Sequence, residues 1–377
     1  MRREPEQGAA IRPAVDQADV GGSTYVAEGS DHATPAPPTS AWRARPVSGA
    51  APERFRVAFD DIVVDVEAPP AVASFVRARY AVGTPATPSI TSRLLMEPRP
   101  RELDGVGSRR ISESDGSLWC RGFPGLNDLT VGIQASSPPA AYAYFSRSPL
   151  RRAYKAVVAG IRSHQLLETL CAYVVVYPAL LAGEFRGRYP LHASAVLADG
   201  RAVILLGLPG AGKSTLSAAL RMNGFDVLSD NLVAVGADGV WSVPEPTKLD
   251  ARSHELVGSD SAGEPAATYG RSARPLPTPP SGPLSVAAIV HLIAGSSTSL
   301  TPGDDLTADR LLDLNRLALE LHAYYYYRSF ARLAFGRSDQ PSEQQVFDSV
   351  LAAAPVATLV VGRDDVQQAC SAIRRLI

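Results

Sequence analysis

The sequence predicts an α/β fold built around a mixed sheet, preceded by a small β-rich module and an unstructured tail. Two observations carry this expectation. A glycine-rich loop, Gly207 to Ser214, stands between an apolar strand and an amphipathic helix. The strand before that loop is joined to its own predecessor by Asp199-Gly200, a strong signal for an antiparallel hairpin. A purely parallel sheet would reach the same strand through a helical crossover, so the hairpin makes the sheet mixed.

The chain has 377 residues, enough for two or three domains at about 150 residues each. The 37 Lys and Arg nearly balance the 38 Asp and Glu. Such a chain has no bulk charge with which to hold nucleic acid or an anionic membrane surface. With hydrophobic residues at 45%, a full core is affordable. Cys120, Cys171 and Cys370 lie far apart and suggest neither a disulfide framework nor a zinc site. The first ten residues are polar, without the apolar stretch of a secretory signal. The longest apolar run, Thr169 to Ala182, contains Pro178 and falls short of the roughly 20 residues that span a bilayer. It reads as a buried helix, and a cytoplasmic protein without a membrane partner is expected.

Residues 1 to 52 lack periodicity and are rich in Pro, Ala, Gly, Ser and Thr, so disorder is expected there. Tyr25 and Trp42 are stray aromatics in that tail. From Phe55 the pattern changes. Phe55, Val57 and Phe59 alternate, and Ile62-Val63-Val64 follows Asp60-Asp61, as in a hairpin. Ala71 to Tyr80 suits a short helix, and Ser89 to Met96, Ser117 to Cys120 and Leu129 to Gln134 suit strands. Residues 53 to 148 therefore form the β-rich module, and 149 to 377 the α/β domain. Helical spacing runs from Leu150 to about Leu181, with a break expected near Pro178.

Gly207-Leu208-Pro209-Gly210-Ala211-Gly212-Lys213-Ser214 fits the phosphate-loop pattern GxxxxGK[ST]. Glycines let the backbone wrap closely around a polyphosphate, with Pro209 and Ala211 completing the loop. The helix start at Lys213, Ser214 and Thr215 adds partial positive charge. Lys213 would reach the β- and γ-phosphates of ATP, and the Ser214 hydroxyl would ligate Mg²⁺. Ala202 to Leu206 supplies the strand before the loop; Leu216, Ala219 and Leu220 share a helical face after it, and Gly224 suits a C-terminal cap. The next strand, Phe225 to Ser229, ends at Asp230-Asn231. A carboxylate there can hold Mg²⁺ through water or accept a proton from an attacking hydroxyl. A second hairpin is expected from Leu232 to Val243, turning at Ala237-Asp238-Gly239.

Leu191-His192-Ala193-Ser194-Ala195-Val196, the Gly207 to Ser214 loop and Leu228-Ser229-Asp230-Asn231 together resemble the kinase domain of the HPr kinase/phosphorylase superfamily. More narrowly, they resemble HPr-kinase-related serine kinases found beside bacterial peptide-modification genes. Val243 to Leu249 falls where relatives carry a proline-containing strand with a basic residue, here Lys248. The resemblance covers roughly residues 150 to 377. It implies phosphoryl transfer from ATP to a serine hydroxyl of a protein or peptide, with Asp230 as base and His192 near the active site. A homo-oligomer is left open, because the hexameric assembly of HPr kinases does not transfer without the interface residues. One position departs from the pattern: HPr kinases carry two adjacent aspartates, and the second here is Asn231, which offers Mg²⁺ a carbonyl oxygen without charge.

Two other functions fit the same residues, a small-molecule kinase and a nucleotide-binding regulatory ATPase module with little turnover. Several candidates have both a functional and a structural reading. Arg271 and Arg274 lie in the Pro- and Ser-rich Gly258 to Pro283 loop, either an acceptor-binding lid or a solvated linker. Tyr324 to Tyr327 cannot all face inward on one helix, so at least one exposed ring is expected. Glu168 and Glu184 flank the apolar helix and need no catalytic role. Ser342 to Gln345 has the form of a capping box, and Cys370 lies on the core face of a final amphipathic helix.

Overall fold

The computed structural model describes residues 51–80, 87–95, 103, 111–114, 116–123, 126–145, 163–243, 245, 247–258, 272–274, 282–303, 306–336, 339–362 and 364–377. Strands β1 (Glu53–Phe59) and β2 (Ile62–Ala68) form the expected hairpin, turning at Asp60, whose φ is 59°. Helix α1 (Pro70–Arg77) follows, with a proline in its first turn, where the missing N–H costs no hydrogen bond. Five more strands complete a seven-stranded sheet: β3 (Ile90–Leu95), β4 (Ile111–Ser114), β5 (Ser117–Phe123), β6 (Leu126–Gln134) and β7 (Ala140–Phe145). Their order is β1-β2-β3-β7-β6-β5-β4. The tail expectation for residues 1 to 52 lies outside the described residues except for Ala51 and Pro52, which are exposed.

Helix α2 comprises Ser163–Cys171, a π-helical turn Ala172–Val176 and Tyr177–Glu184. The expected break at Pro178 does not occur. In the widened turn the Tyr177 N–H reaches back to the Ala172 carbonyl, and Pro178 begins the next α-helical turn, where it has no N–H to lose. Residues 150 to 162 of the expected helix lie outside the described residues. The stretch Leu166–Glu184 is long and apolar enough to cross a membrane, and 72% of its window is buried inside the fold. Its Tyr173, Val174, Val175 and Val176 pack against Val64, Val66 and Ile90 of the first sheet. Each such side chain contributes about 1.5–3 kcal/mol on leaving water. The same cluster takes in Leu321, Tyr324 and Tyr327. The seven-stranded sheet thus shares its core with helices that come much later in the chain.

The second sheet carries the candidate site. Strands β8 (Tyr189–Leu191), β9 (Ser194–Ala198) and β10 (Arg201–Leu206) lead into helix α3 (Lys213–Met222) and strand β11 (Asp226–Ser229). Asp199 and Gly200, with φ of 49° and 75°, make the predicted tight turn between β9 and β10. Strands β12 (Val233–Gly236) and β13 (Gly239–Ser242) form the second expected hairpin. That hairpin is not part of the main sheet; it joins β8 in a separate three-stranded sheet ordered β13-β12-β8. Strand β14 (Thr247–Leu249) leads into helix α4 (Ala251–Val257), capped by the Asp250 carboxylate, and pairs with β15 (Ser272–Arg274). Arg274 thus lies in a strand, whereas Arg271 and most of the Gly258 to Pro283 loop fall outside the described residues.

Strands β16 (Val286–Gly295) and β17 (Ser299–Pro302), helices α5 (Ala308–Leu317), α6 (Leu319–Phe335) and α7 (Glu343–Ala353), strand β18 (Val356–Gly362) and helix α8 (Val366–Leu376) complete the fold. The main sheet is ordered β11-β9-β10-β16-β18-β17, with β10, β16 and β18 parallel and β9 and β17 antiparallel to their neighbours. It is the mixed α/β sheet the sequence predicts. Helices α3 and α8 cover one face, and α5 and α7 the other. Ser342 and Gln345 form the capping box of α7, and Cys370 is buried on the core face of α8. No ring of Tyr324 to Tyr327 is fully exposed, contrary to expectation. Tyr324 and Tyr327 are completely buried, while Tyr325 and Tyr326 are half-buried. Helix α6 packs against both α2 and the Glu343 end of α7, so two of its faces are covered.

Candidate active site

The loop from Gly207 to Gly212 starts where β10 ends and has a backbone that only glycine adopts easily. Gly207, Gly210 and Gly212 have φ of 150°, 86° and 91°. A side chain on Gly207 would also meet the Leu292 carbonyl at 2.8 Å. Ala211 closes the turn through its N–H to Leu208 O, 3.0 Å, and Pro209 is exposed at the tip. Helix α3 begins at Lys213, so the N–H groups of Lys213, Ser214 and Thr215 have no acceptor within the helix. These are the features of an anion cradle. Lys213 is buried, and its ammonium donates to Gly207 O at 2.8 Å and Leu208 O at 3.2 Å. The cation is therefore stored against its own loop. Thr215 shares a hydrogen bond with Ser253 of α4, 2.9 Å, which ties the start of α3 to its neighbour.

Asp230 follows β11 directly. Ser229 pairs with Ala195 across β9, so Asp230 arrives beside Ser194. Strand β9 also pairs with β10, with Ser194 opposite Leu205 at the root of the glycine loop. Ser194 thus stands between the loop strand and the carboxylate strand. Its hydroxyl donates to Asp230 Oδ1 at 2.6 Å, and the Lys248 N–H donates to Oδ2 at 3.3 Å. Burial raises the Asp230 carboxyl above its ordinary value of 3.8, against the opposing pull of Ser194, Ser214 and Lys248. A raised carboxyl beside a phosphate cradle is suited to moving a proton.

His192 is buried just after β8, and its N–H donates to Asn315 Oδ1 at 2.7 Å. Asn315, fully buried on α5, also donates from Nδ2 to Pro190 O at 2.8 Å and to the Tyr325 hydroxyl at 3.1 Å. One amide thus clamps both backbone edges of the segment that leads to Ser194. Tyr325 continues to Glu343, which binds Arg328, and Arg328 binds Glu184 at 2.9 Å. Glu184, assigned no catalytic role above, is an anchor of this buried chain. Burial raises its carboxyl, while Arg328 and Tyr324 pull it down.

Asn231 has φ of 78°, and its Nδ2 donates to Glu245 Oε2 at 2.9 Å. The Lys248 ammonium lies 3.6 Å from Glu168 Oε1. Glu168 and Lys248, together with Glu245, Arg79, Phe75, Tyr80 and Cys171, line a cleft beside the Asp230 loop. Burial pushes the Cys171 thiol up to about 12, so its sulfur is a neutral wall and no nucleophile. Among the described residues, no group of three or more His, Cys, Asp or Glu side chains gathers as a metal site. A cation at Ser214 and Asp230 would have to take further ligands from phosphate and water, as Mg²⁺ does.

The structure brings Gly207, Gly210, Gly212, Lys213, Ser214 and Asp230 to one place. Thr215 and Asn231 lie at its margins, and His192 sits behind it on the Ser194 segment. Ser194 and Asn315 had no assigned role. Ser194 was visible in the quoted motif, two residues beyond His192, but nothing local marks it as the partner of Asp230. Neither a protein-family model nor a curated protein sequence matches the chain.

Proposed function

We propose that this protein is a phosphotransferase that moves the γ-phosphate of ATP to a serine hydroxyl of a peptide or protein, as its resemblance to the HPr kinase superfamily implies. One observation carries the reading. The buried Asp230 carboxylate is held by Ser194 and the Lys248 N–H, and Ser214 at the start of the loop helix helps to pull its carboxyl down against burial. The residues fit the ligands, because the Gly207, Gly210 and Gly212 backbone leaves a cradle without side chains and Lys213 supplies the cation.

ATP would supply the phosphoryl group, and Mg²⁺ would offset its charge. The N–H groups of Lys213, Ser214 and Thr215 would hold the phosphates, and Ser214 and Asp230, with the Asn231 carbonyl oxygen, would face the metal. Lys213 would leave its two carbonyl acceptors and follow the negative charge from the γ-phosphate to the leaving ADP. Asp230 would accept the serine proton as the serine oxygen bonds to phosphorus. A cytoplasmic location is part of this proposal, and the three free, buried cysteines suit it.

Incubation with γ-labelled ATP, Mg²⁺ and serine-containing peptides, followed by mass spectrometry, tests the proposal. Labelled phosphoserine is expected from the wild type and none from Lys213→Ala. Transfer that survives Lys213→Ala would sink the assignment. The Asn231–Glu245 bond favours a second reading, a regulatory ATP-binding module, because an uncharged amide replaces a second carboxylate there. That reading expects tight ATP binding without transfer.

A further inference from the structure

Ser229, Asp230 and Asn231 are consecutive, and each bonds the stretch that runs from the end of β13 into β14. The Ser229 hydroxyl donates to the Val243 carbonyl, the Lys248 N–H donates to Asp230 Oδ2 at 3.3 Å, and Asn231 Nδ2 donates to Glu245 Oε2 at 2.9 Å. Within that stretch the Glu245 N–H turns back to the Val243 carbonyl at 2.7 Å. The turn that delivers the Asp230 carboxylate is therefore strapped at three successive positions. Of the three, Asn231 has the left-handed backbone, with φ of 78°, a region that Asn enters more readily than most residues with a side chain.

We infer that Glu245 is a positioning residue for the metal, which turns the Asn231 carbonyl oxygen outward as a ligand and lends it negative charge. This rests on the Mg²⁺ site of the phosphotransferase reading above. The direction of the amide follows from its chemistry. Only the amide nitrogen can donate to a carboxylate, so the contact with Glu245 fixes which way the Asn231 side chain is turned. With Nδ2 held there, Oδ1 occupies the other edge of the planar group. The left-handed backbone fixes the root of the side chain, and Glu245 fixes its tip. A carboxylate behind a neutral ligand does more than orient it. By accepting the N–H it draws electron density toward the amide oxygen, which then binds a cation more strongly. Glu245 lies 14 residues beyond Asn231 and reaches it only because the strap folds back on the Asp230 turn.

Mn²⁺ is the probe, titrated into the full-length protein with the non-hydrolysable analogue AMP-PNP and followed by the electron paramagnetic resonance of the free ion. Glu245→Gln keeps the size of the side chain and an oxygen for Asn231 Nδ2, but removes the charge. Its Mn²⁺ dissociation constant should rise about tenfold, while the affinity for metal-free AMP-PNP stays unchanged. Asn231→Asp combined with Glu245→Gln moves the charge to position 231 and reverses the hydrogen bond. This double variant should bring the constant back toward the wild-type value. A Glu245→Gln constant equal to wild type, or a double variant as weak as Glu245→Gln, would overturn the inference and leave the kinase reading intact. Mn²⁺ binding that depends on Glu245, in a protein that labels no serine peptide, would overturn the kinase reading alone. A wild type that binds no Mn²⁺ with AMP-PNP would overturn both.

Discussion

Ser194 donates its hydroxyl hydrogen to Asp230 across 2.6 Å, although Ser194 begins β9 and Asp230 follows β11, its antiparallel neighbour, 36 residues on. The bond favours the ionised carboxylate, whereas burial favours the protonated one. The acidic limb of the rate profile should therefore lie above the ordinary carboxyl value of 3.8. In Ser194→Ala one stabilising hydrogen bond is gone, so the limb should move to higher pH. A pH profile of kcat checks this, and a limb that stays fixed would detach Ser194 from the function of Asp230.

Lys213 makes two hydrogen bonds to carbonyls of its own loop. In Lys213→Ala, the rise in melting temperature that ATP causes should vanish, because a charged hydrogen bond of about 2 kcal/mol to phosphate is missing. Differential scanning fluorimetry with and without ATP gives the comparison.

Asn315 satisfies the His192 N–H and the Pro190 carbonyl together. Asn315→Ala leaves both buried without that partner and should cost about 3 kcal/mol in urea denaturation. Since the clamped segment continues into Ser194, kcat should fall while the KM for ATP holds.

Arg328 binds Glu184 and Glu343, and all three are buried. Arg328→Met should destabilise the protein by about 3–5 kcal/mol, because two carboxylates lose their shared cation. A further variant, Arg328→Met with Glu184→Gln and Glu343→Gln, should recover much of that loss.

Asp61 in the first hairpin pairs with Arg188 at 2.5 Å and with Arg186 at 2.7 Å. Burial pushes its carboxyl up, but the two arginines outweigh burial and hold it below 3.8. The pair therefore stabilises fully above the unfolded value, and its contribution fades as pH falls through the lower folded value. Wild type should exceed Asp61→Asn by about 1 kcal/mol near pH 7. The gap should close in acid, as stability measured from pH 7 down to 2 would show.

The features legible in the sequence are those set by neighbouring residues. Asp199-Gly200 demanded a tight turn, Ser342 and Gln345 capped a helix, and the glycines of the loop dictated its backbone. What stayed hidden depends on which distant strands become neighbours. Nothing near Ser194 reveals that β9 stands between β10 and β11, so its bond to Asp230 was out of reach. Locally Pro178 signals a helix break, and only the π-turn before it removes the conflict. Four consecutive tyrosines cannot share one face of a helix, but α6 is covered on two sides. The cleft was invisible for the same reason, since its walls come from Arg79, Glu168 and Lys248.

The most direct test of the central claim is single-turnover transfer from γ-labelled ATP by Asp230→Asn. This variant keeps the shape of the side chain and removes the proton acceptor. ATP binding like the wild type is expected, with transfer to a serine peptide at least about a hundredfold slower. Transfer at the wild-type rate would contradict it.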